Sequence, residues 1–331
     1  MSNHFEVPKN VIDWLVEDTN PWTEYNTRTN LLSQTKSDSS VISSRRKMLE
    51  HSLIQGLLQE VNQWPWYNVK RHNDANHPYH KLVFLADLGF TKEDQVISSI
   101  SDKLFNNQSQ EGAFQVPIEI PRAFGGNDQA QLTWMLCDNP SLIYALIKFG
   151  WEKEPQIKQA VEHLISLQQE QGWLCTVSPS LGKFRGPGRK DDPCPYATLL
   201  SLKVLANMKD YRESKACLAG AEALLSLWDQ RKERKPYLFG MGTDFQKLKA
   251  PLIWYDIIHV TSILAKIPKI RKDERFLEMI NIIQAKKDEQ GLLKAESIWN
   301  AWKEWDFGQK KEPSPWITYL TYQIEHLLIG K

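Results

Sequence analysis

The amino-acid sequence predicts an all-α protein whose six helical hairpins close into a ring, an α/α toroid. Apolar helices that begin near a proline recur about every 60 residues, amphipathic helices lie between them, and glycine-containing polar turns follow several of the amphipathic helices. One outer and one inner helix, repeated six times, is typical of a closed ring. An unclosed stack of helical pairs is the alternative. We therefore expect a single domain over residues 1–331.

Six prolines mark the predicted starts of the inner helices. Proline suits the first helical turn because its missing N–H would have no intrahelical partner there. Segments that follow, such as 142–150 and 197–206, are apolar on nearly all sides, which is typical of a helix enclosed by neighbours. Successive prolines are 57, 62, 55, 56 and 64 residues apart. They are Pro21, Pro78, Pro140, Pro195, Pro251 and Pro315.

The outer helices are predicted from a helical period of apolar residues. Ile157, Val161 and Leu164 share one face of such a helix, with Gln, Glu and Lys on the other. The polar turns contain Gly112, Gly172 and Gly291. Long loops at 112–134, 172–194, 232–251 and 291–314 precede inner helices, so we expect them at one rim of the cavity.

Composition narrows the function classes. With 41% hydrophobic residues, 24% charged residues and a net charge of +1, the chain has no overall attraction to nucleic acid or anionic membranes. It lacks a signal peptide and an apolar run of ~18 residues, so we expect a cytoplasmic protein without a membrane span. Four cysteines are too few for a disulfide scaffold, which leaves metal binding, catalysis or burial.

Zinc-ligand residue types occur in two fragments about one repeat apart. Asp192 and Cys194 precede one inner helix, while Asp256 and His259 begin the next, and 67 residues separate Asp192 from His259. A ring would bring both fragments to one rim. Asp192, Cys194 and His259 would form a catalytic zinc site with three protein ligands. The alternative is a buried cysteine, a satisfied core histidine and an aspartate that caps a helix.

Other candidate catalytic residues lie near the starts of inner helices. Cys137 and Asp138 precede the third inner helix, where Cys137 is a candidate fourth ligand and Asp138 an acid or base, unless they only cap the helix. Asp256 is a candidate base or an acceptor for an imidazole N–H. Tyr196 follows Cys194 closely. His80, with His72 and His77, is expected to line the cavity, and a second metal site is the alternative.

Two groups of residues are predicted to bind substrate. Arg185, Arg189 and Lys190 lie in a glycine-rich basic segment directly before Asp192. Arginine makes bidentate contacts with anions, so this segment is expected to hold an anionic group unless it is only a solvated loop. Aromatic residues near helix starts are expected to form an apolar pocket; they are Trp134, Trp173, Trp254, Tyr255 and Trp316.

These motifs resemble the terpenoid-cyclase and protein prenyltransferase toroids. Segments 110–114 and 171–173 match in type the glutamine-rich turn that precedes inner helices in that family. Asp192-Pro-Cys194 and the His259 motif are similar to the zinc ligands of the protein prenyltransferase β subunit, and the basic segment to its diphosphate-binding residues. The prolines beside Cys194 and the place of Tyr196 depart from that pattern.

The resemblance implies a zinc-dependent transferase for an apolar, isoprenoid or diphosphate-bearing substrate, with a metal-activated thiolate as nucleophile. A zinc hydrolase or lyase on the same fold stays open, as does a metal-free cyclase or isomerase that protonates an alkene through Asp138 or Asp192. A non-enzymatic binding module is a further alternative. We expect no nucleic-acid partner, and whether the chain needs a partner protein or forms a homo-oligomer is left open.

Overall fold

The chain is predominantly helical in the computed structural model, which describes residues 7–17, 20–182, 193–236 and 238–329. The all-α prediction is confirmed. Within these ranges no helix is long and apolar enough to cross a membrane. The described helices are α1 (Lys9–Glu17), α2 (Pro21–Asn26), α3 (Ser39–Glu50), α4 (Ser52–Asn62), α5 (Pro78–Asp87), α6 (Gln95–Phe105), α7 (Asn139–Leu146), α8 (Pro155–Ser166), α9 (Pro195–Asn207), α10 (Lys215–Asp229), α11 (Ile257–Leu264), α12 (Glu274–Gln284) and α13 (Pro315–Ile329).

The chain divides into two compact units, one formed by Met1–Gly56 with Gly242–Lys331 and the other by Leu57–Met241. In the Leu57–Met241 unit, α7 packs against both α5 and α9, and α8 and α10 cover them from outside. In the other unit, α13 contacts both α11 and α2, while α12 packs on α11 and α3 on α2. Each unit therefore contains three neighbouring inner helices with outer helices packed against them.

Burial distinguishes the inner from the outer helices. Nearly every residue of α9 is buried, whereas in α8 only one face is, including Ile157, Val161 and Leu164. This difference follows from the patterns that predicted the two classes, because a helix enclosed on all sides has no face for charged side chains.

The proline prediction holds for five of the six inner helices, which have proline in their first two residues. It is wrong for Pro251, because α11 begins only at Ile257. Asp256 caps that helix, and its Oδ1 accepts a hydrogen bond from the His259 N–H at 2.9 Å. A side-chain cap thus replaces proline as the start signal.

A hydrogen bond between a turn and a helix recurs three times. In each copy the turn contains a glycine with positive φ, 109° at Gly112, 114° at Gly172 and 84° at Gly291. A backbone N–H one or two residues later donates to a side-chain oxygen in the first turn of the next inner helix. These turn-to-helix hydrogen bonds each span 25 residues and join Phe114 to Asn139, Trp173 to Thr198, and Leu293 to Thr318.

Short strands occupy parts of two predicted loops. β1 (Val116–Glu119) pairs antiparallel with β2 (Ala130–Thr133), and β3 (Gln168–Gln169) pairs with β4 (Gly172–Trp173). Val69 extends the first sheet, since its N–H donates to the Pro117 carbonyl at 2.8 Å and its carbonyl accepts from the Glu119 N–H at 3.1 Å. The sheet fixes the segment that leads to His72.

Candidate functional site

Three loops of the Leu57–Met241 unit meet through backbone hydrogen bonds. The Leu136 N–H donates to the Thr176 carbonyl at 3.0 Å, and Met135 forms an antiparallel bridge with Val177. The Cys194 N–H donates to the Trp173 carbonyl at 2.7 Å. Segments that are distant in sequence therefore lie side by side, and each of them carries a cysteine.

The three thiols form a contact cluster, called here the cysteine cluster: Cys137, Cys175 and Cys194. Each of the three thiols shifts the pKa of the other two, which indicates that the side chains lie close to one another. Cys194 is also the N-cap of α9, where its Sγ accepts from the Ala197 N–H at 3.5 Å. A helix N-terminus favours negative charge, so this position stabilises a thiolate.

The cluster concentrates negative charge on Cys194. Hydrogen bonds from the thiols of Cys137 and Cys175, with support from backbone N–H groups, hold the pKa of Cys194 well below its ordinary value. The same contacts, together with burial, raise the pKa of Cys137. By contrast, Cys217 lies outside the cluster in α10, and burial raises its pKa to about 12. Cys194 therefore differs from a cysteine that only fills a core.

A buried carboxylate and an imidazole adjoin the cysteine cluster. Asp138 follows Cys137 and is 1% exposed, and its Oδ1 lies 2.9 Å from Nδ1 of His72. Burial opposes charge on His72, but the Asp138 carboxylate outweighs it and raises the pKa of His72. The charges of His72 and Cys175 also act on each other. The ring is thus held by Asp138, the residue that follows Cys137 in the chain.

Two side chains of α5 hold the backbone of His72. The Tyr79 hydroxyl donates to the His72 carbonyl at 2.7 Å, and His80 Nε2 donates to the same oxygen at 2.8 Å. Burial lowers the pKa of His80 to about 3, so His80 is neutral near pH 7. A group with so low a pKa is a poor proton acceptor, and the contact that the structure shows for His80 is positional.

Tyr196 lies close to the cysteine cluster and is 1% exposed. Its ring stacks on Phe239 with centroids 6.0 Å apart. Burial, followed by the charges of Cys137, Asp138 and Cys194, raises the pKa of Tyr196 well above its ordinary value. The hydroxyl therefore stays protonated and can donate a hydrogen bond to an anionic group.

The second predicted fragment lies in the other unit. His259 is fully buried, and its Nδ1 lies 2.7 Å from the Trp254 carbonyl. Because a carbonyl only accepts, Nδ1 carries the proton and Nε2 has the lone pair that a metal would require. Asp256 is the cap of α11. The remaining predicted ligand, Asp192, lies outside the described residues, as do Arg185, Arg189 and Lys190.

The predicted pocket aromatics lie in packed surroundings. The Trp134 indole N–H donates to Glu111 Oε1 at 2.8 Å, and the indole N–H of Trp173 donates to the Leu164 carbonyl at 2.7 Å. Trp173 also packs on α10, where a methyl group added at Gly220 would lie 2.9 Å from the ring. Tyr255 packs on Phe245, Trp316 stacks on Tyr319, and the Trp254 carbonyl accepts from His259. Their contact with a substrate stays a prediction.

The donor set of the cluster fits zinc chemically, although within the described ranges no three His, Cys, Asp or Glu side chains already surround a common point as metal ligands. Three thiolates are nevertheless a preferred donor set for zinc, and a tetrahedral site built from them has room for one further ligand.

The sequence prediction included Cys194 and Cys137 but missed Cys175, and it assigned His72 no ligand role in this site. Cys175 lies 20 residues before Pro195, so the search at helix starts passed over it, whereas His72 was named among the histidines that line the cavity or form a second metal site. The sequence places Trp173 and Cys175 directly after Gly172, the glycine of one repeat turn, and this position is the signal that could have pointed to Cys175.

No protein-family model matches this chain. No curated protein is similar enough to count as a relative. The assignment of chemistry therefore depends on the residues of the site and their geometry.

Proposed function

We propose that the protein is a zinc-dependent enzyme whose metal is bound by the thiolates of the cysteine cluster. The observation that carries this proposal is the proximity of Cys137, Cys175 and Cys194, because backbone hydrogen bonds hold their three loops side by side in one unit. Thiolates are preferred zinc ligands, and three of them leave a further coordination position. The lowered pKa of Cys194 favours the deprotonated form that a metal requires.

For the whole chain we propose the α/α toroid, a single ring of six hairpins. The turn-to-helix hydrogen bond supports it, because copies with the same 25-residue span occur in both units. Asp192 and His259 stay predicted as additional or alternative ligands.

The proposed reaction is transfer of an apolar group, such as an isoprenoid, to a nucleophile. When bound, zinc supplies a deprotonated nucleophile near neutral pH, because it lowers the pKa of a coordinated thiol or water. Tyr196 keeps its hydroxyl proton and can donate to an anionic substrate group, as would Arg185, Arg189 and Lys190 by prediction. Burial of Cys137, Asp138 and Tyr196 limits the access of water to this part of the site.

A zinc hydrolase or lyase is the second candidate, and the geometry of Asp138 favours it. Its Oδ2 is buried and has no hydrogen-bond partner among the described residues. A carboxylate oxygen in that state can accept a proton from a nucleophile. Product analysis in ¹⁸O-labelled water separates the two reactions, since only hydrolysis incorporates the label without an acceptor.

Metal analysis of protein purified without added metal tests the proposal. We expect one zinc per chain in the wild type and in the control Cys217→Ser, and loss of zinc in Cys137→Ser, Cys175→Ser and Cys194→Ser. A wild type without zinc contradicts the proposal. If instead Cys175→Ser keeps its zinc and His259→Ala loses it, the ligand set predicted from sequence is correct and the cysteine cluster is not the metal site.

A further inference from the structure

We propose that Cys137 and Cys175 form a reversible disulfide, which makes the paired loops ahead of α7 and α9 a site of oxidation. This inference goes beyond the proposed function, because the disulfide forms without a metal. The oxidant is a low-molecular-weight disulfide of the glutathione class. Since the pair belongs to the cysteine cluster, its oxidation would also remove two of the thiolates that a zinc ion requires.

Two backbone hydrogen bonds define how the loops ahead of α7 and α9 pair. The Leu136 N–H donates to the Thr176 carbonyl, and the Ser178 N–H donates to the Trp134 carbonyl, each at 3.0 Å. Both bonds fit one antiparallel register, which also contains the bridge between the intervening residues. The two cysteines are the next pair along that register, directly after Leu136 and directly before Thr176.

The alternation of hydrogen bonds between antiparallel strands favours a disulfide at this pair. The preceding pair is joined by a hydrogen bond, so Cys137 and Cys175 take the adjoining position without one, where opposed Cα atoms lie about 4.5 Å apart. Disulfides span Cα separations of about 4.4–6.8 Å. The pairing ends at the cysteines, because the Asp138 N–H turns back to the Met135 carbonyl. Each thiol of the pair also shifts the pKa of the other, as expected for neighbouring sulfurs.

Cys194 is near this pair but is held in a different way. Its N–H donates to the carbonyl of Trp173, two residues before Cys175, at 2.7 Å. Its Sγ accepts from the Ala197 N–H at 3.5 Å, so the sulfur is directed at the first turn of α9. The register therefore selects Cys137, rather than Cys194, as the partner of Cys175.

Exposure sets the order of the two chemical steps. Cys175 is partly exposed, whereas Cys137 is 4% exposed and is reached only from within the protein. The thiolate of Cys175 attacks one sulfur of oxidised glutathione, and one glutathione leaves as its thiolate. The thiolate of Cys137 then attacks the Cys175 sulfur, and the second glutathione leaves. Two electrons and two protons thus pass from the pair to glutathione, and an excess of reduced glutathione reverses both steps.

Peptide mapping of the full-length protein tests the inference. The protein is incubated with oxidised glutathione, with and without a chelator, and the remaining thiols are alkylated. Trypsin cleaves after Lys and Arg, so the four cysteines fall in the peptides 123–148, 159–183, 191–203 and 216–231. We expect a cross-link between the first two peptides, at least about tenfold more abundant than glutathione adducts, because opposed thiols have a high effective concentration. Reduced glutathione should remove it.

Single variants identify the partners. In Cys137→Ser we expect the cross-link to be lost and a glutathione adduct to persist on Cys175, because no second thiol displaces it. Cys194→Ser and the control Cys217→Ser should keep the cross-link. A wild type that forms no cross-link under either condition, or forms one through Cys194 instead, overturns the inference.

The zinc content of the same samples separates this inference from the proposed function. A wild type that contains no zinc but forms the cross-link supports the disulfide and contradicts the zinc enzyme. A wild type that contains zinc, yet forms no cross-link after the chelator has removed it, overturns the disulfide and leaves the zinc enzyme in place.

Discussion

His77 caps α5 with an imidazole that functions only in its neutral form. Its Nδ1 accepts from the Tyr79 N–H at 3.3 Å, and its Nε2 lies 2.8 Å from the Tyr67 carbonyl. Because the carbonyl requires a donor, Nε2 carries the proton and Nδ1 does not. Burial lowers the pKa of His77, so the folded protein resists the second proton that the unfolded chain accepts.

We predict that His77 makes the protein less stable in mild acid. Below the unfolded-state pKa of about 6.5, the unfolded chain binds more protons at this site, so the free energy of unfolding falls as pH decreases. His77→Asn retains a capping oxygen and removes the titration, and its stability should depend less on pH in that range. Urea unfolding at several pH values measures this, with His326→Asn as control. Equal pH dependence of His77→Asn and the wild type would contradict the prediction.

At the residue scale, sequence patterns reveal candidate ligands only where a helix start marks them. Cys194 directly precedes the proline that begins α9, Cys137 lies two residues before the start of α7, and both belong to the cysteine cluster. Cys175 joins them because the Leu136 and Cys194 N–H groups bond to carbonyls on either side of it. Such long-range backbone pairing leaves no periodic trace in the sequence, so only the position of Cys175 just after the Gly172 turn could have pointed to it.

In the glycine turns, neighbouring atoms lie so close to the glycine Cα that a side chain has little room. Gly172 has φ of 114°, and a methyl group there would lie 2.6 Å from Thr198 Oγ1, the acceptor of the turn-to-helix hydrogen bond. Gly56 lies inside α4 and has no atom within 4 Å of that position. Replacing glycine by alanine would therefore create a close contact at position 172 but not at position 56.

We predict that Gly172→Ala destabilises the protein by about 1–3 kcal/mol, through backbone strain and loss of the Thr198 contact. Gly56→Ala should instead stabilise it by about 0.5–1 kcal/mol, since alanine favours a helix interior. Chemical denaturation of both variants measures the difference. A Gly172→Ala protein as stable as Gly56→Ala would show that the turn geometry is not required.

The start of a helix is predictable from sequence where a residue such as proline marks it. Five inner helices have a proline in their first two residues, whereas α11 begins at Ile257, six residues after Pro251, and is capped by the side chain of Asp256. The β1–β2 hairpin was expected to be an irregular loop, because its strands have four residues each and depend on pairing with one another and with Val69. Short strands of this kind carry little periodicity.

For the whole molecule, hydrophobic periodicity predicts the helices and their inner or outer class, but closure of a ring depends on packing angles that accumulate over many helices. The two units share the same local arrangement of three inner helices with outer helices packed against them. That shared arrangement follows from the repeat, because each copy has the same apolar helix, polar turn and amphipathic helix.

We predict that bound zinc contributes to global stability, since its ligands come from three loops that only the folded chain brings together. At a free zinc concentration 100 times its dissociation constant, the contribution is about 2.7 kcal/mol. A chelator should therefore lower the melting temperature of the wild type by several degrees. Cys194→Ser, which we expect to lack the metal, should show no such decrease. An unchanged wild-type melting temperature after complete zinc removal would contradict this prediction.

The turn-to-helix hydrogen bond has a consequence for how this chain can change. In each of its three copies the donor and the acceptor are 25 residues apart, yet the segments that they enclose differ in structure. One contains the β1–β2 hairpin, another contributes Cys175 and Cys194, and the third contains two 3₁₀ turns, Asn300–Trp302 and Asp306–Gly308. The segment between the donor and the acceptor can therefore be replaced, in evolution or by design, by one with different functional residues. The hydrogen bond that positions the start of the inner helix would be kept.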